Sequence, residues 1–358
     1  MPECDTRIRG GITVDAANLI NQRVNTSIGT AGTAVGPGGA AIVDYVYGDL
    51  GAPISKNPWS ANVNKSGIES WIDTLPANTA LPLMQATTKF AGLTYELWPD
   101  TRILSQTMLV NGIHIGADKL GHFMQQGYVY YTYVVRHGYS IDYIKQWGHL
   151  SESGGVLSGS FPWFNWYGLA STGVYSRADL VANLKGLEFY RWLEANPTGT
   201  FDIRRFVDNN WSEETNVSAY HSAIAQDVWR NLLAGTWRGT HTDTSQPGAT
   251  PKTVQVTLTP LPSTTSAPYF WPIQGTYSYP GLSGTVTGRL NGNVLHYSTM
   301  RNAWTEGPYD RAYLVYSWRE GTETGKGVWD SCMTEHQFKG TWGRGDSSDN
   351  GGQFDINR

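Results

Sequence analysis

The fold is organised around the stretch Asn111-Gly112-Ile113-His114-Ile115-Gly116-Ala117-Asp118-Lys119-Leu120-Gly121-His122-Phe123. It places two histidines, an aspartate and a lysine in an otherwise apolar setting. The spacing of the apolar residues predicts a helix over 117–136, which puts Asp118 and His122 one turn apart on one face. The opposite, core-facing stripe of this helix consists of Leu120, Phe123, Tyr131, Val134 and Val135.

The residue types leave two interpretations of Asp118 and His122 open. In the structural one, Asp118 interacts favourably with the helix macrodipole and holds His122 by an i, i+4 hydrogen bond. In the functional one, the carboxylate and the imidazole converge on a water as a general-base dyad or as half of a metal site. A metal site needs more than two protein ligands, so in the metal-binding interpretation His114 or His149 is the third ligand.

The residues from Asp118 to Phe123 also carry a resemblance that indicates where in the cell the protein acts. Asp118-Lys119-x-x-His122-Phe123 resembles a signature of uncharacterised bacterial envelope proteins, including small lipoproteins, and more distantly of VanZ-like membrane proteins. It implies a periplasmic or secreted protein and names no catalytic residue. Unlike VanZ-like proteins, this chain has no apolar run long enough to cross a bilayer, so we expect no transmembrane segment. Residues 1–5 lack a signal pattern, so we expect that an export signal was removed, lies outside this chain or belongs to a different secretion route.

Composition narrows the classes of partner. The formal charge of −4 and the absence of a basic patch argue against nucleic-acid binding. Only 16% of the residues are charged, whereas Trp (15), Tyr (20) and Gly (41) are abundant, a mixture typical of exported proteins. Cys4 and Cys332 either pair in an oxidising compartment or are two separate buried thiols.

The N-terminal two thirds predict two regions. Residues 1–65 are rich in Gly, Ala and Thr and are expected to form an irregular arm with at most a short helix over 14–24. Residues 66–233 are expected to form an α-helical domain in which Ser66 caps one helix and a second covers 81–97. Ser176 opens a capping box before a helix over 177–193, whose small residues would allow a close crossing with the helix of His122.

Glu152 is a second candidate for chemistry. Together with the following Ser153-Gly154-Gly155, the Gly-rich segment 168–173 and the Asn/Gly helix around 182–186, it resembles lytic transglycosylases and other lysozyme-like muramidases. The resemblance implies that Glu152 is a general acid whose pKa is raised in a partly apolar cleft. The alternative is a glutamate on a solvated turn. The aromatic segment 158–167 either stacks on sugar rings or packs in the core.

The sequence pattern of the C-terminal region, 234–358, predicts a β-barrel. Short segments alternate apolar and polar residues between turn signals, and Asn291-Gly292-Asn293 predicts a hairpin turn. About eight antiparallel strands result, enough to close a small barrel. Repeated Gly-Thr-Trp and Gly-Thr-Tyr starts resemble avidin-like and lipocalin-like barrels, which implies one small ligand or a binding module. The predicted fold class is therefore α+β, with a helical N-terminal domain followed by an antiparallel barrel.

The sequence lacks the common catalytic and nucleotide-binding motifs, and three hypotheses about its function are left. A Gly-x-Ser-x-Gly elbow, a P-loop, a dinucleotide fingerprint and a Cys-x-x-Cys pair are all missing from the sequence. The leading hypothesis is an envelope-associated or secreted bacterial hydrolase that acts on peptidoglycan or another glycan through Asp118, His122 and Glu152. The alternatives are a non-enzymatic binding or scaffold protein, and a metal-dependent hydrolase whose divalent cation is held by Asp118, His122 and His114 or His149.

Overall fold

A computed structural model describes most of the chain. The described residues are 4–54, 65–83, 88–93, 104–153, 168, 172–245, 247–261, 270–291, 296–298, 303–305, 313–334, 337–348 and 351–357. The aromatic segment 158–167 and the turn after Asn291 lie outside them. The chain divides into two compact units, Met1–Thr88 with Glu96–Ser218 and Lys89–Tyr95 with Ala219–Arg358. The predicted boundary near 234 thus falls inside the second unit.

Helices form most of the first unit, and their bounds follow the predicted ones closely near the site. The central helix covers 117–136, in which α-helical turns alternate with π-helical turns at His122–Gln126 and Thr132–Arg136. The described helices are α1 (Ala17–Val35), α2 (Gly39–Val46), α3 (Gly67–Ile72), α4 (117–136), α5 (Ile141–Glu152), α6 (Arg177–Ala195) and α7 (Ser222–Leu233). The cap predicted at Ser66 is confirmed, and Glu69 completes a capping box with it.

The prediction of an irregular arm over 1–65 is wrong. Helix α1 is 19 residues long, and α2 continues into a π-helical turn at Tyr47–Gly51. Their many small residues permit close packing: a Cβ at Gly39 would lie 2.1 Å from the carbonyl oxygen of Glu194 on α6. Tertiary packing therefore outweighs the low helix propensity of the Gly- and Thr-rich sequence.

Two further expectations about local structure need correction. Residues 81–97 were predicted as a helix, but Ala80–Leu81 is a strand and 88–93 form turns. Glu152 was placed on a polar turn, whereas it is the last residue of α5 and is buried. The core-facing stripe of α4 holds for Leu120, Phe123 and Tyr131 but not for Val135, which is exposed.

The first unit brings α4 against α6 through two glycines. A Cβ at Gly186 would lie 2.1 Å from the carbonyl oxygen of Phe123, and a Cβ at Gly127 would lie 2.4 Å from Cα of Gly186. The crossing predicted from the small residues of α6 is therefore confirmed. On one side of it, the Phe123 ring packs against Phe189, Phe206 and Trp211. Polar side chains of the two helices meet beside this aromatic core.

Strands of the first unit lead directly into α4. Strands β1 (Ala80–Leu81), β2 (Thr107–Val110) and β3 (Ile113–Gly116) form an antiparallel sheet in that order. Asn111 and Gly112 turn the chain between β2 and β3, both with positive φ (55° and 76°). Strand β4 is Val174–Tyr175. Within the described residues, no helix combines the length and apolar character of a bilayer-spanning segment.

The second unit contains the predicted barrel. Its described strands are β5 (Ala219–Tyr220), β6 (Gly235–Asp243), β7 (Lys252–Pro260), β8 (Phe270–Tyr279), β9 (Leu282–Asn291), β10 (His296–Ser298), β11 (Ala303–Thr305), β12 (Tyr313–Glu320), β13 (Glu323–Thr334), β14 (Gln337–Arg344) and β15 (Gly352–Asn357). Eight of them close an antiparallel barrel in the order β6-β7-β8-β9-β12-β13-β14-β15, and β15 pairs back onto β6 through Ile356 and Gly239. On β7, Val254, Val256 and Leu258 are buried between more exposed neighbours. The α+β fold class is confirmed.

Candidate functional site

A fully buried lysine stands at the centre of the polar cluster in the first unit. The ammonium group of Lys119 lies 2.5 Å from Oδ2 of Asp118, 2.5 Å from Oδ1 of Asp179 and 2.9 Å from Oε1 of Glu213. Ser176 Oγ also donates a hydrogen bond to Glu213, at 3.3 Å. Because an ammonium group has three N–H donors, the three carboxylates match its capacity. Lys119 thus holds together the start of α4, the start of α6 and the loop of Glu213.

His122 lies one turn after Asp118 but does not contact it as predicted. Its Nε2 is 2.8 Å from Oδ2 of Asp179, and its Nδ1 is 3.0 Å from Oδ1 of Asn183. The Asn183 amide in turn donates to the Tyr130 hydroxyl at 3.4 Å. Oδ2 of Asp118 accepts a hydrogen bond from the ammonium group of Lys119. The buried Oδ1 of Asp118 accepts no hydrogen bond from the described residues. The predicted i, i+4 bond is therefore replaced by partners from α6.

Glu152 joins His122 from the end of α5. Each of three buried side chains, His122, Glu152 and Asp179, offers one nitrogen or oxygen atom that could bind a metal. These three atoms lie within 4.8 Å of one another. Oε1 of Glu152 accepts a long hydrogen bond (3.5 Å) from the backbone N–H of Ser176. The structure therefore brings His122 and Glu152 together, with Asp118 one side chain further away through Lys119. Their exposed fractions are 3% or less.

Charge interactions in the cluster shift its ionisation. Burial acts to lower the pKa of Lys119, but the charges of Asp118 and Asp179 outweigh it and raise that pKa. Burial acts to raise the pKa of Asp179, but His122 and Lys119 reverse the shift and lower it. For Asp118, burial prevails over the opposing charge of Lys119, so its pKa is raised. The ammonium and the Asp179 carboxylate are thus favoured as ions, and Asp118 is the group shifted towards its neutral form.

The predicted metal set is not assembled by the fold. Among the described residues, two groups have metal-ligand atoms close together, Cys4 with Asp118 and Glu213, and His122 with Glu152 and Asp179. His114 and His149 belong to neither group. His114 lies on β3 with its Nδ1 3.1 Å from an Arg9 nitrogen, and His149 on α5 contacts the Tyr175 hydroxyl. Of the four predicted residues, His122 and Asp118 remain near a candidate site, but in different groups.

The barrel contains a cavity that the sequence did not locate. Its volume is about 280 Å³, and aromatic and aliphatic side chains line its floor. Charged side chains at three hairpins of one barrel end form its rim: Asp243, Lys252, Glu320, Glu323 and Arg344. The Tyr277 and Tyr279 hydroxyls donate to Oε2 of Glu320 at 3.1 and 2.8 Å. The cavity therefore combines ring surfaces below with mixed charges above.

One residue that lines this cavity, His241, has a buried polar atom without a partner among the described residues. Nδ1 of His241 is buried and forms no hydrogen bond with the described residues. The ring lies 4.7 Å from the centre of Trp342 and is stacked on Tyr279 at 5.5 Å. Burial lowers the pKa of His241, which favours the neutral imidazole. A buried polar group without a partner is unusual, and a ligand is one way to satisfy it.

Several residues of both sites escaped the sequence analysis. Asp179 was interpreted mainly as a helix cap, yet its carboxylate joins Lys119 to His122. The signal was present, because Asp179 and Asn183 share the face of α6 that was expected to cross the helix of His122. Glu213 carries no local signal: it follows the short 3₁₀ turn Asn209–Trp211, and only packing of Trp211 beside Phe123 places it under Lys119.

Related proteins offer no assignment for either site. Comparison of the chain with family models, with curated proteins and with solved structures finds no match.

Proposed function

We propose that this protein binds a small ring-containing ligand in its C-terminal barrel, which corresponds to the non-enzymatic binding alternative of the sequence analysis. The observation that carries the proposal is a cavity of about 280 Å³ lined by aromatic side chains and by His241, a residue whose buried Nδ1 forms no hydrogen bond with the described residues. A concave apolar site with a few convergent polar groups is the usual form of a ligand pocket.

The lining defines the ligand's chemistry. Trp342, Tyr279 and Phe354 surround the His241 ring, so a planar or ring-shaped ligand can pack against aromatic faces. A neutral His241 offers one donor and one acceptor, so the ligand carries a complementary hydrogen-bonding group. Rim charges of both signs, such as Lys252 and Glu323, favour an uncharged or zwitterionic compound over a strongly charged one.

A calorimetric titration of the full chain tests this proposal. Indole, adenine and N-acetylglucosamine serve as probes, and we expect at least one to bind with a stoichiometry of one. Val286→Phe fills the cavity from β9 and should weaken binding at least about tenfold, a loss of about 1.4 kcal/mol. His241→Phe keeps the ring but removes the nitrogen and should weaken binding about two- to tenfold.

The matched control is Thr287→Phe, the neighbouring exposed position on the same strand. It adds a ring of the same size to the outer surface and should leave binding unchanged. Binding that survives Val286→Phe would place the ligand outside the cavity, and failure of all three probes to bind would argue against this ligand class.

A second candidate is the hydrolase hypothesis, with Asp118, His122 and Glu152 acting on peptidoglycan or another glycan. The convergence of His122 and Glu152 favours it. However, both ring nitrogens of His122 already face protein oxygens, which leaves it no free position as a general base. Export to the bacterial envelope, implied by the signature around Lys119, stays a prediction.

Clearing of purified cell walls, followed by turbidity, tests the hydrolase. If Glu152 is the general acid, the wild-type protein clears the suspension and Glu152→Gln slows clearing by about 100-fold or more. Equal clearing by both proteins would remove Glu152 from the mechanism. No clearing by either would argue against wall hydrolysis and leave the barrel proposal untouched.

A further inference from the structure

The second cluster of ligand-type atoms in the first unit has the composition of a metal centre. His122 Nε2, Asp179 Oδ2 and a Glu152 carboxylate oxygen come from three helices, α4, α6 and α5. One imidazole and two carboxylates form a common donor set for divalent transition metals. We propose that His122, Glu152 and Asp179 bind one divalent transition-metal ion of the Zn²⁺ or Mn²⁺ type. The inference goes beyond ligand binding by the barrel and does not depend on it.

Hydrogen bonding around His122 supports this assignment. The two ring nitrogens of His122 face oxygen atoms, Nε2 towards Asp179 and Nδ1 towards Asn183. With a metal on Nε2, Nδ1–H would donate to Asn183. Metal-bound histidines typically donate their other ring N–H to a protein oxygen in this way. The Tyr130 hydroxyl holds the Asn183 amide so that its oxygen points at His122.

The charges around the site point in the same direction. Four buried carboxylates, Asp118, Glu152, Asp179 and Glu213, lie around the ammonium of Lys119 and the ring of His122. The cluster thus contains four acidic side chains but only one ammonium group. A divalent cation beside His122 would offset this excess of acidic groups.

The neighbouring group of Cys4, Asp118 and Glu213 is a poorer site. The ammonium of Lys119 already contacts both of these carboxylates, so a metal there would lie beside a buried positive charge. Asp179 separates the two regions, since its Oδ1 faces Lys119 and its Oδ2 faces His122. The ammonium group of Lys119 therefore already occupies the site between Asp118 and Glu213, whereas His122, Glu152 and Asp179 can bind a metal ion.

Thermal unfolding of the full chain tests the inference. After treatment with a chelator, the protein is titrated with ZnCl₂ or MnCl₂, with MgCl₂ as the comparison. At 100 times the dissociation constant, we expect the midpoint of the first unit's unfolding to rise by about 5–10 °C. Glu152→Gln should abolish this shift. Asp142→Asn, an exposed carboxylate at the other end of α5, is the matched control and should retain it.

A second measurement does not depend on how a variant folds. Co²⁺ bound to the wild-type protein should give visible ligand-field bands of a nitrogen- and oxygen-coordinated ion, without a thiolate charge-transfer band. A thiolate band would place the ion at Cys4 and overturn the assignment. Failure of Zn²⁺, Mn²⁺ and Co²⁺ to bind, or an undiminished shift in Glu152→Gln, would overturn it as well.

Discussion

At the scale of the residue, Lys119 is the group on which three buried carboxylates of the first unit converge. A buried ammonium is costly unless it is paired, and here it contacts carboxylates from three separate segments of the chain. The pairing has a consequence for function: Asp118 is bound to a lysine and is not positioned to activate His122. The residue that orients His122 is Asp179, together with Asn183.

Replacement of Lys119 by methionine should therefore be strongly destabilising. Lys119→Met keeps most of the side-chain volume but leaves three buried carboxylates without their shared cation. We expect the free energy of unfolding to fall by about 3–5 kcal/mol, the usual effect of breaking a buried ion pair. Urea denaturation followed by circular dichroism measures it.

The control for this variant is Lys185→Met on α6. Lys185 pairs with Glu188 on an exposed helix surface, and loss of such a pair changes stability by no more than about 0.5 kcal/mol. Similar effects of the two substitutions would show that the contacts of Lys119 contribute little to folding.

At the scale of the element, the crossing of α4 and α6 positions the whole cluster. The two helices approach closely because Gly127 and Gly186 present only hydrogen atoms to each other. This approach sets Asp179 and Asn183 against His122. The π-helical turn that starts at His122 widens the helix at the same point, a feature that often accompanies functional sites.

The crossing predicts opposite effects for two glycine substitutions. In Gly186→Ala, the new Cβ would lie 2.1 Å from the carbonyl oxygen of Phe123, so the helices must separate. We expect a loss of about 1–3 kcal/mol despite the higher helix propensity of alanine. In Gly29→Ala on α1, nothing lies within 4 Å, and stability should rise by about 1 kcal/mol.

Thermal and urea denaturation of both variants measure these changes. Stabilisation by Gly186→Ala would mean that the backbones do not pack as closely as the structure indicates. A loss of stability in Gly29→Ala would mean that α1 is covered on that face.

Local sequence signals account for many elements but not for all. The capping residues Ser66 and Ser176 were sufficient to locate the starts of α3 and α6. The Asn111-Gly112 turn between β2 and β3 has an equally good hairpin signal, and it was not recognised because the flanking strands are only four residues long. The helices α1 and α2 lack such signals and depend on packing against the rest of the unit.

At the scale of the whole molecule, the two units have different kinds of interior. The first packs a charged cluster, centred on Lys119 and His122, between its helices. The second closes into a barrel with a cavity of about 280 Å³ at one end. His241 lines this cavity, and its Nδ1 has no hydrogen-bond partner among the described residues. This difference is why ligand binding is proposed for the barrel and a metal ion for the helical unit.

The sequence by itself determined the α+β order of the chain, the alternating strands of the barrel, the helix over 117–136 and the shared face of Asp118 and His122. Periodicity and capping are local properties, so they can be read without knowing what an element packs against. Only the tertiary structure decided which polar groups meet. Glu213 is 94 residues from Lys119, and Asn183 is 61 residues from His122. Such pairs arise from helix crossings and chain closure, because a buried charge takes its partner from whichever segment the packing brings within reach.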